Sequence, residues 1–207
     1  MADYTDRFNY ALRLIEPPDE DVLSLEQARR NCSVDGDEHD EALVELIREA
    51  RNYCEEQTDV CLLTATWEMT FDRFPKGAKP LELPRWPAQS IVSVLYTDPA
   101  GDEQEITAQS LVLRIDDLGR GRLARAAWQA WPVTLYTPDA VRIRFKAGWT
   151  QPEQVPAVWT RAQLMLVAWW LEQREAGVYG SAAKAPIGVD DLLANAAAVD
   201  DFEDFEL

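Results

Sequence analysis

The spacing of hydrophobic residues changes character twice along this chain, from helical to alternating and back. Ser24 followed by Gln27 forms a capping-box pattern and predicts a short helix through about Cys32. Asp35-Gly36-Asp37 breaks it, and a second helix is expected from Asp37 or Glu38. There Ala42, Leu43, Leu46, Ile47, Ala50, Tyr53 and Cys54 recur at steps of three and four, with Glu45, Arg48, Glu49, Arg51, Glu55 and Glu56 on the other face. From Thr66 the period becomes two: Trp67, Met69 and Phe71 alternate with Thr66, Glu68, Thr70 and Asp72. Further strands are expected at Leu81 to Leu83, Ile91 to Tyr96, Glu103 to Ile106, Leu111 to Ile115, Arg122 to Arg125 and Ala140 to Ala147. Asp98-Pro99-Ala100-Gly101 and Gly119-Arg120-Gly121-Arg122 read as turns between them. Strands that follow one another without intervening helices indicate a mostly antiparallel sheet or small sandwich.

Helix returns at Pro156, whose missing N–H suits a first helical position, and continues without Gly or internal Pro to about Glu175. Val158, Ala162, Met165 and Trp169 make one stripe along it, and Trp159, Leu166 and Trp170 a second, about 100° away. The two stripes should face different partners, one inside the subunit and one toward another helix or a neighbouring molecule. Pro186 to Leu193 predicts one more short helix. The expected class is α+β: a helical domain from residues 23–61 and 151–193, with a mostly antiparallel β domain, 62–150, inserted between its helices. Residues 1–22 read as an irregular acidic arm and 194–207 as an acidic tail, which interleaves Phe202 and Phe205 with acids.

Composition narrows this picture. The 207 residues are 47% hydrophobic with eight Trp, six Tyr and six Phe, too apolar for a disordered chain despite a formal net charge of −17. The apolar run Leu164 to Leu171 falls far short of the roughly 18 to 20 residues that cross a bilayer, so no membrane partner is expected. Met1 to Leu12 is polar and acidic, unlike a signal peptide, and the expectation is a chain that is not exported. Between Leu62 and Thr150 there are 11 Lys and Arg against 10 Asp and Glu, whereas the flanks carry 9 against 27. Acidic flanks disfavour gripping phosphates, so contact with DNA should be repulsive or local.

Chemistry-bearing patterns are sparse. His39, the single histidine, sits among Asp35, Asp37, Glu38, Asp40 and Glu41; acids there are better explained by capping a helix N-terminus than by holding a metal. Cys32, Cys54 and Cys61 lack metal-ligand spacing and are expected as reduced thiols. There is no phosphate-cradling glycine loop and no nucleophile elbow, so no catalytic, cofactor-binding or metal residues are expected. Arg142, Arg144 and Lys146 alternate with Val141, Ile143 and Phe145, which describes a half-buried strand or an inter-subunit salt-bridge face more readily than a nucleic-acid reader.

The order of these features carries a resemblance. The segments LSLEQARRNCSVDGDEHDEALVELIREARNYCEEQTDVCLLTATWEMTFDRFP, LELPRWPAQSIVSVLYTDPAGDEQEI, DAVRIRFKAGWTQPEQVPAVWTRAQLMLVAWWLEQREA and PIGVDDLL span Leu23 to Leu193. In that sequence of motifs the chain resembles the head-to-tail connector, or adaptor, proteins of long-tailed bacteriophages, in the branch with a β insertion between its helices. The resemblance implies a non-enzymatic structural protein of the virion neck, assembled in the host cytoplasm. It would form a homo-oligomeric ring, twelvefold in the virion, under the portal protein. The ring would extend the DNA channel, pass DNA without sequence-specific contacts, and dock the next neck or tail-completion protein. No cofactor is implied.

Trp159, Leu166, Trp169, Trp170, Arg142 and Arg144 are then the candidates for the oligomer interface, because a ring needs one surface to fit a different one on its neighbour. Glu45, Glu49 and Glu56 are candidates to face the channel, and Ile187, Val189, Leu192, Leu193, Phe202 and Phe205 to dock on the portal. Another neck protein, such as a head-stopper or tail-completion protein, is the alternative; a carboxylate-dependent hydrolase or a nucleic-acid-binding regulator fits the charge and motifs poorly.

Overall fold

Ser24 does what its pattern requires. Its hydroxyl accepts from the Gln27 amide while the Gln27 side chain accepts from the Ser24 amide, closing both sides of the capping box at the start of α1 (Leu25–Cys32). In this computed structural model residues 10–175, 186 and 188–198 are described, apart from the side chains of 174, 175 and 198. The elements that follow are α2 (Asp40–Thr58), β2 (Ala65–Phe71), β3 (Leu81–Glu82), β4 (Ala88–Thr97), β5 (Glu103–Glu105), β6 (Leu111–Ile115), β7 (Gly121–Arg125), β8 (Val141–Ala147), α3 (Ala157–Glu175) and α4 (Val189–Ala198). They are preceded by β1 (Ala11–Glu16). The fold is mixed α+β, with four α-helices among the described residues and antiparallel sheets.

The described residues form two compact units and the chain passes between them repeatedly: those within 1–17 and 64–148 make a β unit, those within 18–63 and 149–207 a helical unit. This corrects the expected arm. Ala11 to Glu16 is an edge strand, with Leu12 opposite Met69 and Leu14 opposite Trp67 on β2. Past Pro17 the chain is anchored in the helical unit, where Val22 and Leu23 are buried and Asp21 accepts from Arg51 at 2.6 Å. The divide falls at 63/64 and 148/149, and Leu63 forms a parallel bridge with Trp149 inside the helical unit.

In the β unit the five-stranded sheet runs β1-β2-β8-β4-β5 and the three-stranded sheet β3-β7-β6. On β8 the alternation holds: Val141, Ile143, Phe145 and Ala147 are buried, and Arg142, Arg144 and Lys146 take the opposite face. β2 departs from its expected pattern, because neighbours on both edges bury Thr66 and Glu68 along with Met69 and Phe71. Leu83 N–H extends the β3–β7 ladder by donating to Gly121 O at 2.8 Å, and the two sheets are tied where Ala88 N–H of β4 donates to Gly119 O, just before β7, at 2.7 Å. The turn at Asp98 is built as its sequence suggests: the carboxylate accepts from the Ala100 and Asp102 amides at 2.9 and 3.1 Å. Those bonds, that of Asp102 foremost, hold the Asp98 pKa below the usual carboxylate range.

In the helical unit α3 packs on α1, α2 and α4. Asn31 on α1 donates to Leu164 O of α3 at 3.0 Å. α2 begins later than expected, at Asp40, because a turn closed by Asp40 N–H on Asp37 O comes first. His39 holds the N-cap position with no side-chain capping bond, and Asp40 instead takes the Arg29 guanidinium of α1. The last helix is also displaced, starting at Val189 and reaching Ala198, so the boundary drawn at 193/194 falls inside it.

Candidate assembly surfaces

The two stripes of α3 separate by burial in the second half of the helix only, since Ala162 of the first stripe is 0% exposed and Val158 half-buried. Trp159 and Leu166 are 2% and 0% exposed and Trp170 7%, whereas Met165 and Trp169 are 36% and 38% exposed. A helix surrounded by apolar neighbours on most sides must place one stripe against them; here Trp170 lies edge-on to Tyr53 of α2, centroids 6.0 Å apart. Burial therefore removes Trp159, Leu166 and Trp170 from the interface candidates, since a side chain covered within its own chain has no surface left to offer. Trp169 keeps its place. With Arg161, Met165 and Glu172, also exposed, it lies on one line of the helix.

Arg142 and Arg144 both have partners within the chain. Arg142 pairs with Glu103 of β5, and the Arg144 Nε donates to Glu68 Oε2 of β2 at 2.6 Å. Both guanidinium side chains stay partly exposed, at 39% and 45%, so neither pair closes the surface. Glu45, Glu49 and Glu56 are exposed on α2, together on the face turned away from its buried Leu43, Leu46, Ile47, Ala50 and Cys54.

Among the docking candidates, Val189 and Leu193 are 0% and 1% exposed on α4. They bind that helix to the rest of its own unit, where it meets α2 and α3, and are corrected from docking to structural residues. Leu192 is half-buried. Ile187, Phe202 and Phe205 lie outside the described residues.

One apolar region went unnoticed in the sequence. Between β7 and β8, Trp128 is 58% exposed, Val133 76% and Tyr136 80%. The connection is fixed in its middle by Trp131, which is buried, stacks on Phe74 with centroids 4.7 Å apart and donates its Nε1 hydrogen to Lys79 O at 2.8 Å. Trp128, Trp131 and Tyr136, three aromatics within nine residues, were the available signal, yet nothing local distinguishes the inward Trp131 from the outward Trp128.

A groove of about 610 Å³ lies among Cys32, Asp35, Glu38, His39 and Glu172 in the helical unit. Burial pushes the Cys32 thiol pKa up, opposite to the shift that activates a nucleophile. No cluster of three or more His, Cys, Asp or Glu among the described residues is arranged to hold a metal ion. No helix among them is long and apolar enough to cross a membrane.

Charge divides with the units. By sequence the β unit holds 13 Lys and Arg against 13 Asp and Glu, and the helical unit 7 against 24, so the whole net charge of −17 belongs to the latter.

This architecture, an antiparallel β unit threaded through a helical unit, has counterparts among particle-neck structures. A chain in the neck of an empty gene transfer agent particle, computed with C6 symmetry, matches over 90% of this chain and 94% of its own at a TM-score of 0.72 and 22% identity. A chain in the virion of a native gene transfer agent particle matches at 0.70 and 24% identity, over 89% and 93%. One in the native neck, computed with C12 symmetry, matches at 0.66 and 23%, over 90% and 94%. At these identities the likeness is one of fold. No protein-family model matches the chain, and no curated protein does.

Proposed function

We propose that the chain is a structural, non-enzymatic neck protein of a phage-like particle, a head-to-tail connector that forms a homo-oligomeric ring under the portal. The observation that carries this is the correspondence of nearly the whole chain, at a TM-score of 0.72, with a chain from such a neck. Necks computed with C6 and C12 symmetry support a ring, with twelve copies as the expected number in the virion. The ring would continue the DNA channel and present its far side to the next neck or tail-completion protein.

Its chemistry is consistent with that role. The exposed acids Glu45, Glu49 and Glu56 on α2 would line the lumen, where like charge lets DNA pass without counterion-releasing contacts. Trp169, with Arg142 and Arg144 at their exposed edges, would contribute to contacts between copies. Leu192 is the described residue left to dock on the portal, with Ile187, Phe202 and Phe205 as sequence candidates. A head-stopper or tail-completion protein would share the neck but not the position beneath the portal.

Native mass spectrometry and negative-stain imaging, with and without portal protein, test the proposal. A closed ring alone or on the portal is the expected result; a monomer in both states overturns it.

A further inference from the structure

A ring contact needs two unlike surfaces on one chain that fit each other. The exposed large apolar side chains supply one such surface on each unit. On the β unit it is the connection between β7 and β8, with Trp128 as its largest exposed ring. On the helical unit it is the exposed line of α3, with Met165 and Trp169 at its centre and Glu172 beside them.

Trp128 is held out at a cost. Ala127 and Trp128 both have left-handed backbone, φ +52° and +53°, a region non-glycine residues avoid. Two such residues in succession persist where the surroundings impose them, and they recur at functional positions. The surroundings are visible: Trp131 anchors the segment on Phe74, and the Arg114 guanidinium lies 5.3 Å from the Trp128 ring. A large aromatic side chain, rigid before binding, is the usual form of an interface anchor.

Charge identifies the occupant. Arg114, exposed on β6 with its guanidinium over the Trp128 ring, gives that ring a basic border, while Arg122 opposite it on β7 is paired with Glu82 at 3.7 Å. The helical unit is strongly acidic, and Glu172, one turn beyond Trp169, gives the C-terminal end of the stripe an acidic border, while Arg161 lies one turn before Met165 at the other end. We infer that the Trp128 loop of one copy docks on the exposed α3 stripe of the next. Trp128 would lie against Met165 and Trp169, and Arg114 would face Glu172. Thioether–aromatic contact and complementary borders both favour this pairing over loop on loop, which would oppose arginine to arginine. The inference rests on reading the chain as a ring-forming neck protein and adds the two faces that meet.

Cysteine cross-linking of the full chain tests it, in a Cys32→Ser background that removes the half-buried native thiol. Under mild oxidation, a mixture of Trp128→Cys chains and Met165→Cys chains should give covalent dimers. A chain with both substitutions should give a ladder, and either variant alone none. Because Trp128→Cys deletes the proposed anchor, Arg114→Cys with Glu172→Cys forms a second pair that keeps the Trp128 indole and replaces the facing charges by a covalent link. Native mass of the wild-type chain separates two failures. A closed ring with no mixed disulfide from either pair overturns this contact and leaves the neck reading standing; a wild-type monomer with and without portal overturns both. Covalent dimers from Trp128→Cys alone also overturn it, as does duplex-DNA binding that Arg114→Glu abolishes while the ring persists.

Discussion

The Tyr53 hydroxyl donates to Asp190 Oδ1 at 2.6 Å, joining α2 to the first turn of α4 across 137 residues of sequence. Burial first, and then this bond, push the Tyr53 pKa up to about 12. Cys54, next to it and buried, is also raised to about 12. Both groups are neutral when protonated, with ordinary values of 10 and 9. The folded state therefore retains protons that the unfolded chain releases: stability is complete below about pH 9 and falls as pH rises toward 12. Tyr53→Phe is expected to cost about 0.5–1.5 kcal/mol at pH 7, the range for an ordinary hydrogen bond, because Asp190 is exposed to water. It should also lose less stability between pH 9 and 12 than the wild type. Urea denaturation across that range checks both; equal slopes for the two proteins would contradict the assignment to Tyr53.

Trp169 and Trp170 are adjacent in sequence and opposite in consequence. Trp170→Ala removes a ring that is 7% exposed and packed on Tyr53, and should cost about 3–5 kcal/mol. Trp169→Ala removes one that is 38% exposed and should cost the isolated chain less than about 1.5 kcal/mol. The order reverses for assembly. In native mass measurements Trp169→Ala should weaken the oligomer while leaving the melting temperature of the monomer close to wild type.

The division between these two residues also marks how far the sequence could be read. Local patterns were legible: the Ser24–Gln27 capping box, the alternation of β8 and the Asp98 turn depend on residues within a few positions of each other. That α3 has two stripes is likewise a matter of period. Which stripe is covered depends on Tyr53 and on α4, both distant in sequence, and so was not legible. β1 escaped notice for a similar reason. Its partner on β2 lies more than fifty residues away, and a register shift between Leu14 and Glu16 breaks the alternation that would have announced a strand. The outward loop at Trp128 depends on left-handed backbone at Ala127 and Trp128, for which neither residue is a signal.

Arg142 and Arg144 resemble each other in sequence but differ in what their loss leaves behind. Arg144 pairs with Glu68, whose side chain is only 11% exposed within the five-stranded sheet. Arg144→Met leaves that carboxylate covered and without its guanidinium, at a cost of about 1–3 kcal/mol. Arg142 pairs with Glu103, whose side chain is 57% exposed, and Arg142→Met should cost less than about 1 kcal/mol. Combining Arg144→Met with Glu68→Met should recover much of the loss, because no covered charge remains. Thermal denaturation of the four proteins is sufficient; equal effects at 142 and 144 would show that burial of Glu68 does not control the difference.

Gly121 controls how closely the three-stranded sheet approaches β4. A Cβ at this position would lie 2.6 Å from the Ala88 Cβ and 2.8 Å from the Leu83 Cδ1, distances that real contacts do not reach. The Leu83 side chain can turn aside, but Ala88 begins β4 and its amide is tied to Gly119 O at 2.7 Å, so the strand itself must move. Gly121→Ala is therefore expected to destabilise the chain by about 1–3 kcal/mol, the range for overpacking a filled interior. Conformation adds nothing to this cost, since Gly121, unlike Gly119 at φ +86°, has no left-handed backbone to forbid a side chain. A second substitution then separates the two causes. If crowding against Leu83 dominates, Leu83→Ala in the Gly121→Ala chain should regain part of the loss in urea denaturation. If the displaced β4 strand dominates, the double variant should be less stable than either single one.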